Sequence, residues 1–376
     1  MPCTAQILVR RRLGGGTPNA HVCHLRYSVR GQICATLQAH KRCIENDSHT
    51  MAPVVPVRTA GLNEETQMMG LLTRRHVLGG LGVALTLSWG AAMAADTIKV
   101  QDNTGEVQVP LKPKTVLVYD FGALDIIQTI GGHVTGNPTQ ALPPALKQFG
   151  DSNKYTNIGT LFEPDYEKVK ALKPDLIIAG NRSLPKIDEL KKFAPVLDIT
   201  IDNQNQMAHV YRNIRSISAI YGMPEKGEQE IKAIEAGIAD VKAKASNKGG
   251  ALLIMTNGGK MSAYGPGSRF DMLYSVFGVN PIKDKIEVSK HGQAISFEYL
   301  LKTNPDYLLV LDRDAAIGND GQAAKKLLDN KLVHATKAWR NQNVVYLNSA
   351  NWYTMSNSGP TALKENLKQL ADAFSK

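Results

Sequence analysis

Two stretches of this chain keep a common register. In the first, Glu167 stands seven residues before Pro174, the pair Pro174-Asp175 opens an apolar run, and Arg182 follows eight residues after the proline. In the second, Glu298, Pro305-Asp306 and Arg313 repeat the same offsets. Each unit reads as a helix, a Pro-Asp turn and a buried strand whose carboxyl end carries an arginine. Arginine stays charged at any relevant pH and offers a planar fork of N–H donors, so a pair of them suits an anionic, oxygen-rich ligand. In open parallel sheets ligands bind outside the carboxyl ends of the strands, so two facing lobes would aim Arg182 and Arg313 into one cleft. Each glutamate alone is an ordinary solvated helix residue. The shared register sets the pair apart and places it on the outer surface, at the far end of the crossover helices' path.

The elements that must position these residues alternate as short β-branched runs and helical segments, the pattern of parallel α/β layers. Strands are expected at 116–119, 176–179 and 196–199 in one half, and at 251–255, 307–311 and 344–347 in the other. Between the halves Ile231, Ile234, Ile238 and Val241 hold one apolar stripe on a long helix over 225–245. Pro224 suits its first turn, Gly249-Gly250 ends the segment, and this helix is the connector that the sequence makes evident. The expected fold is α/β, two Rossmann-like lobes joined by one long helix: a first lobe over 95–223, the linking helix over 224–247 and a second lobe over 248–376.

Upstream lies a targeting segment, 68–94. Thr73-Arg74-Arg75 is followed by an apolar run over 78–89 and by the small-x-small site Ala92-Met93-Ala94, the layout of a signal peptide cleaved after Ala94. The arginine pair resembles a twin-arginine export signal. The run is short for a membrane span. Residues 1–67 carry Gly, Pro and Arg clusters without a sustained period and read as an extension outside the fold.

The formal charge of +10 invites a nucleic-acid reading that its distribution removes. Residues 1–67 hold eight Lys/Arg against four Asp/Glu, and Arg74 and Arg75 add two more, which leaves 34 against 30 for the remainder. Such a balance makes no basic patch. All four cysteines, Cys3, Cys23, Cys34 and Cys43, precede the targeting segment. The exported part therefore has no thiolate metal site and no cysteine for a lipid anchor, and its metal chemistry uses nitrogen and oxygen. No G-x-S-x-G elbow, H-E-x-x-H pair, Walker loop or dinucleotide fingerprint occurs there, which argues against the commoner secreted α/β enzymes.

Five ordered stretches then carry a resemblance: 117–125 (LVYDFGALD), 263–270 (AYGPGSRF), 291–298 (HGQAISFE), 304–313 (NPDYLLVLDR) and 351–353 (NWY). They resemble the periplasmic catecholate-siderophore-binding proteins of ABC importers, the helical-backbone class III binding proteins, over essentially all of the chain from residue 96 onward. The resemblance implies a monomeric, periplasmic protein without catalytic activity or resident cofactor, whose cargo is an Fe(III)-siderophore and whose partner is an inner-membrane ABC permease. It implies that Arg182, Arg269 and Arg313 line the cleft and that His291 and Tyr353 can bind iron directly. It also implies that Glu167 and Glu298 meet the permease. Asn181 stands as an extra residue beside the first arginine.

That chemistry is coherent. Ferric iron favours hard oxygen donors and catecholates meet it as dianions, so the complex is strongly negative. A tetradentate siderophore leaves two positions of a roughly octahedral iron open, which an imidazole and a phenolate fill. Haem, cobalamin or a hydroxamate siderophore are the rival cargoes; haem wants a more apolar cleft than three arginines provide.

Overall fold

The computed structural model describes residues 96–202, 205–319 and 323–376, together with the dipeptides Ala5–Gln6 and His24–Leu25. Those two dipeptides pair antiparallel with each other, Ala5 opposite Leu25. The expected signal over 68–94 and the rest of 1–67 lie outside the described residues.

A hairpin comes first. β1 (Thr97–Asp102) and β2 (Gly105–Pro110) pair antiparallel, with Ile98 opposite Val109 and Val100 opposite Val107. Asp102 closes the turn by accepting from the Thr104 amide at 2.6 Å, and its other oxygen accepts from the Asp198 amide at 3.2 Å, which fastens the hairpin to the first lobe.

The first sheet holds β3 (Val116–Val118), β4 (Gly136–Asn137), β5 (Thr156–Asn157), β6 (Leu176–Ala179) and β7 (Val196–Asp198) in the order β5-β4-β3-β6-β7, every pair parallel. Every residue of β3 and β6 is buried, as continuous apolar runs must be when helices cover both faces. The helices are α1 (Phe121–Ile130), directly after β3, α2 (Tyr166–Leu172), leading into β6, and α3 (Gln206–Ile220). Next comes the long helix, α4 (Pro224–Ala245), with Ile231, Ile234, Ile238 and Val241 buried.

The second sheet holds β8 (Ala251–Asn257), β9 (Lys260–Tyr264), β10 (Gln293–Ile295), β11 (Tyr307–Asp312) and β12 (Val344–Tyr346) in the order β10-β9-β8-β11-β12. Here β8, β11 and β12 run parallel, while β9 is antiparallel to both of its neighbours. Two further helices are α5 (Phe297–Thr303), between β10 and β11, and α6 (Pro360–Phe374).

The repeated register has a structural cause. α2 and α5 start at capping side chains, Asp165 and Ser296, which accept from the amides of Lys168 and Tyr299 at 3.1 and 3.3 Å. Both helices stop at a left-handed residue, Lys173 (φ 46°) and Asn304 (φ 43°). The aspartate after each proline then ties down the approach to the neighbouring strand. Asp175 accepts from the amides of Lys114 and Thr115, both at 2.8 Å, and Asp306 accepts from the Gly250 amide at 3.0 Å.

The sequence points to α4 as the connector between the halves, and the structure adds a second one. One apolar core runs beneath both sheets, and Leu363, Leu367, Leu370 and Phe374 of α6 share it with the stripe of α4 and with Leu124 and Ile127 of α1. The start of α6 is held by the first lobe: Asp125 of α1, fully buried, accepts from the amides of Thr361 and Ala362 at 2.9 and 3.2 Å. Glycine is required there, since a Cβ on Gly359 would overlap the Asp125 carboxylate. Among the described residues no helix is long and apolar enough to cross a membrane.

Candidate ligand-binding cleft

Arg182 follows the carboxyl end of β6 by way of two unusual residues. Gly180 lies so near β7 that a Cβ on it would come within 2.7 Å of the Thr200 amide nitrogen. Asn181 takes a left-handed conformation (φ 52°), which asparagine tolerates better than most side chains. Its side-chain oxygen accepts from the Ile201 amide at 3.0 Å, and its side-chain nitrogen donates to Asp120 at 2.9 Å. Asp120, buried between β3 and α1, also caps α1 by accepting from the Ala123 amide at 3.1 Å. Burial pushes the Asp120 carboxyl up, against the opposing bonds from Asn181 and Ala123 and the charge of Arg182.

Arg313 is the first residue beyond β11, so the second strand end does carry an arginine. Asp312 fixes its helical turn by accepting from the amides of Ala315 and Ala324 at 3.2 and 2.9 Å. Arg269 comes from the loop after β9, where Gly267 is left-handed (φ 80°). The Arg269 carbonyl accepts from the Gln206 side chain of α3 at 3.2 Å, a bond that joins the two lobes. Tyr353 sits in a π-helical turn, 350–354, a local distortion often found at functional positions. The turn is anchored by the fully buried Trp352, packed edge-on against Phe277.

These four side chains meet at Tyr353. The guanidinium carbons of Arg269, Arg313 and Arg182 lie 5.0, 5.7 and 5.9 Å from the centre of its ring, within cation–π range. Arg313 donates to the phenol oxygen at 3.1 Å and to Asn257 at 3.0 Å. Arg182 crosses from the first lobe to donate to the carbonyls of Thr354 at 2.6 Å and Tyr353 at 3.0 Å. Burial by itself would raise the Tyr353 phenol, but the Arg313 bond and the charges of Arg313, Arg269 and Arg182 outweigh it, and the phenol titrates below the usual tyrosine value. Beside the group lies a cavity of about 120 Å³ lined by residues of both lobes, among them Asn181, Gln206, Arg269, Trp352 and Asn357.

His291 stands apart. It lies on an exposed turn whose carbonyl accepts from the Tyr264 hydroxyl at 2.8 Å. Tyr264 in turn packs edge-on against Phe270, beside Arg269. Among the described residues no hydrogen bond, ion pair or ring contact joins the imidazole itself to the arginine group. Nor do three or more His, Cys, Asp or Glu side chains cluster as a metal site among the described residues.

Glu167 and Glu298 are exposed in the first turns of α2 and α5. The Ser296 hydroxyl holds Glu298 below its ordinary carboxyl range. The sequence reading put the pair at the opposite end of the crossovers from the arginines, and this is corrected. A crossover helix runs antiparallel to its strands, so its first turn returns to the carboxyl edge of the sheet. The ion pair between Glu163, just before α2, and Lys186, just after Arg182, at 2.9 Å shows the two segments side by side.

Sequence reasoning also passed over Asp120, Gln206 and Asn257. Asp120 had a readable local signal, an aspartate placed to cap an apolar helix. The other two act only through contacts between distant segments.

Two α/β lobes on a shared core, one long helix between them and a cationic cleft at the strand ends define a two-lobed solute-binding protein of the helix-joined class. The chain belongs to the periplasmic binding protein family, whose model matches residues 116–350. The petrobactin-binding protein YclQ of Bacillus subtilis is 40% identical over 284 residues, which is 74% of this chain and 88% of that protein. Its crystal structure superposes with a TM-score of 0.70, covering 75% of this chain and 99% of that one. The ferric-anguibactin-binding protein FatB of Vibrio anguillarum is 28% identical over 69% of this chain and 83% of its own length. The crystal structure of the periplasmic catecholate-siderophore-binding protein VctP of Vibrio cholerae, 30% identical, gives a TM-score of 0.68 over 74% of this chain and all of that one.

Proposed function

We propose that this protein captures a ferric catecholate siderophore outside the cytoplasm and delivers it to an ABC permease for iron uptake, as a monomer and without catalysing a reaction. The observation that carries this reading is the arrangement of three guanidinium groups 5.0 to 5.9 Å from one phenol ring. A cage that holds a phenol ring among fixed cations suits catecholate rings, and the description of VctP as a catecholate-siderophore-binding protein points the same way. Iron enters with the donors its siderophore brings, and each charge-assisted bond from an arginine contributes on the order of 1.5–3 kcal/mol before desolvation.

Tyr353 and His291 fill the two positions that a tetradentate ligand leaves open. The phenol proton passes to solvent as the oxygen binds iron and displaces water, a loss favoured by the surrounding arginines and by the metal charge. His291 reaches iron through movement of its exposed turn. Glu167 and Glu298 meet cationic side chains of the permease. Export through the segment 68–94 delivers the protein to the periplasm, free of a lipid anchor.

Titration of the exported form with ferric catecholate, ferric hydroxamate and haem, followed by intrinsic fluorescence and visible spectra, tests the cargo. Tight binding of the catecholate with its charge-transfer band is expected. A Soret band at comparable affinity, or preference for the hydroxamate, would overturn it.

A further inference from the structure

Arg182 differs from the other two arginines in what it holds. Two of its N–H groups are engaged by main-chain carbonyls of the opposite lobe, Thr354 at 2.6 Å and Tyr353 at 3.0 Å. Those carbonyls belong to the π-helical turn that carries the phenol, and the Thr354 hydroxyl fixes the turn again by donating to the Ala316 carbonyl at 2.9 Å. Arg182 is itself set from behind. Its neighbour Asn181 is pinned by the strand ends around it, with its own amide donating to Thr200 at 3.2 Å, its side-chain oxygen accepting from Ile201 at 3.0 Å and its side-chain nitrogen donating to Asp120 at 2.9 Å. Asp120 is only 8% exposed, and its second oxygen is fixed by the helix cap at Ala123. The result is an unbroken polar path from α1 through Asp120, Asn181 and Arg182 to the backbone of Tyr353.

The geometry points to Asp120 and Asn181 as positioning residues that use Arg182 to hold the Tyr353 turn across the junction between the lobes, so that the first lobe aims a donor belonging to the second. This inference rests on the reading that Tyr353 completes an unsaturated iron shell. Beside its place in the cationic cage, Arg182 then has an effect confined to ligands that need the phenol. A fork is essential to that role, because a lysine carries the same charge on a single nitrogen and lacks the two fixed, coplanar nitrogens that here meet the two carbonyls separately.

The test uses two probes on the full exported protein: iron(III) bound to a linear bis-catecholamide, which leaves two coordination positions open, and iron(III) bound to a tris-catecholamide, which leaves none. Arg182→Lys keeps the charge and loses the fork. Asn181→Gly keeps the left-handed backbone and loses the side chain. Both are expected to weaken the bis-catecholamide complex on the order of tenfold and to shift its charge-transfer band as phenolate ligation is lost; Asn181→Gly, which leaves every cleft cation in place, should change the tris-catecholamide complex less than about threefold, while Arg182→Lys, which alters a cation of the cage, should lose clearly more on the bis- than on the tris-catecholamide complex. Asp120→Ala should behave like them, and Asp120→Asn, whose single acceptor oxygen cannot serve both the Asn181 side chain and the Ala123 amide, should fall between Asp120→Ala and the unsubstituted protein in affinity and band. The tris-catecholamide affinity also verifies that each variant is folded. Equal losses for both probes, or an unshifted band, would overturn the inference and make Arg182 a plain electrostatic donor. Failure of the unsubstituted protein to bind the bis-catecholamide complex, or binding of it without a phenolate charge-transfer contribution, would remove the underlying reading, and this one with it.

Discussion

The two lobes are built on one plan and put to different uses. In each, a seven-residue helix ends in a left-handed residue and a Pro-Asp turn, and the strand that follows delivers an arginine at its carboxyl end. The first sheet is parallel throughout, whereas the second reverses β9 against its neighbours. That reversal frees the long connection between β9 and β10, which carries both Arg269 and His291. Arg313 faces the phenol oxygen, while its counterpart Arg182 faces backbone carbonyls of the other lobe. A duplicated scaffold thus keeps the glutamate-bearing edge alike in both halves, while three of the four side chains gathered at Tyr353 come from the second.

The sharpest way to break this comparison is at the edge that carries Glu167 and Glu298, where the lobes are equivalent and where we propose that the permease docks. Reversing Glu167 and Glu298 together to Lys is expected to abolish siderophore-dependent iron uptake while ligand affinity, measured by fluorescence, stays within about twofold, because exposed charges outside the cleft contribute little to binding within it. A parallel fall in affinity would remove the pair from docking. The inequality of the lobes is tested next. Changing both His291 and Tyr353 to Ala should weaken a tetradentate ferric complex by one to two orders of magnitude and a hexadentate one by less than about threefold; equal losses would exclude direct ligation.

The smallest effect belongs to the tie between the lobes. Asp125→Ala removes the acceptor at the start of α6 and should cost about 1 kcal/mol in urea unfolding at neutral pH. Burial raises the Asp125 carboxyl in the folded chain, with the Thr361 and Ala362 bonds and the charge of Lys364 only partly offsetting it. A carboxyl whose folded pKa lies above its unfolded value favours the fold most below the unfolded value, and that contribution fades as pH climbs through the folded one. Stability profiles between pH 3 and 7 should therefore be flatter for Asp125→Asn, which keeps an oxygen at the cap but does not titrate; an unchanged slope would assign the dependence to other groups.

Much of the architecture was legible because buried strands announce themselves. The runs at 116–118, 176–179 and 307–311 are apolar on both faces, so their composition alone separates them from surface segments. β4 and β5, two residues each, are too short to show any period. The hairpin of β1 and β2 does alternate, with Ile98, Val100, Val107 and Val109 on its paired strands, and could have been read. In the cleft, Arg182 and Arg313 were found through the repeat, since the register that sets a strand end also sets the residue after it. Against the family's pattern, Asn181 reads only as an extra residue beside the first arginine. Its significance lies in an asparagine's tolerance of a left-handed backbone and in a bond to a carboxylate 61 positions earlier, neither of which has a local pattern. The second connector, α6, was likewise hidden, because an amphipathic helix does not reveal which partner covers its apolar side.

The apolar core that runs unbroken beneath both sheets governs how long cargo remains bound. Swinging the halves widely apart would wet Leu363, Leu367 and their neighbours along the whole seam, so thermal opening is shallow and cannot by itself empty the cleft. For the cargo and importer proposed above, residence time is then set by the chelate's own contacts, and release proceeds by competition for those contacts at the rim instead of by prying a hinge.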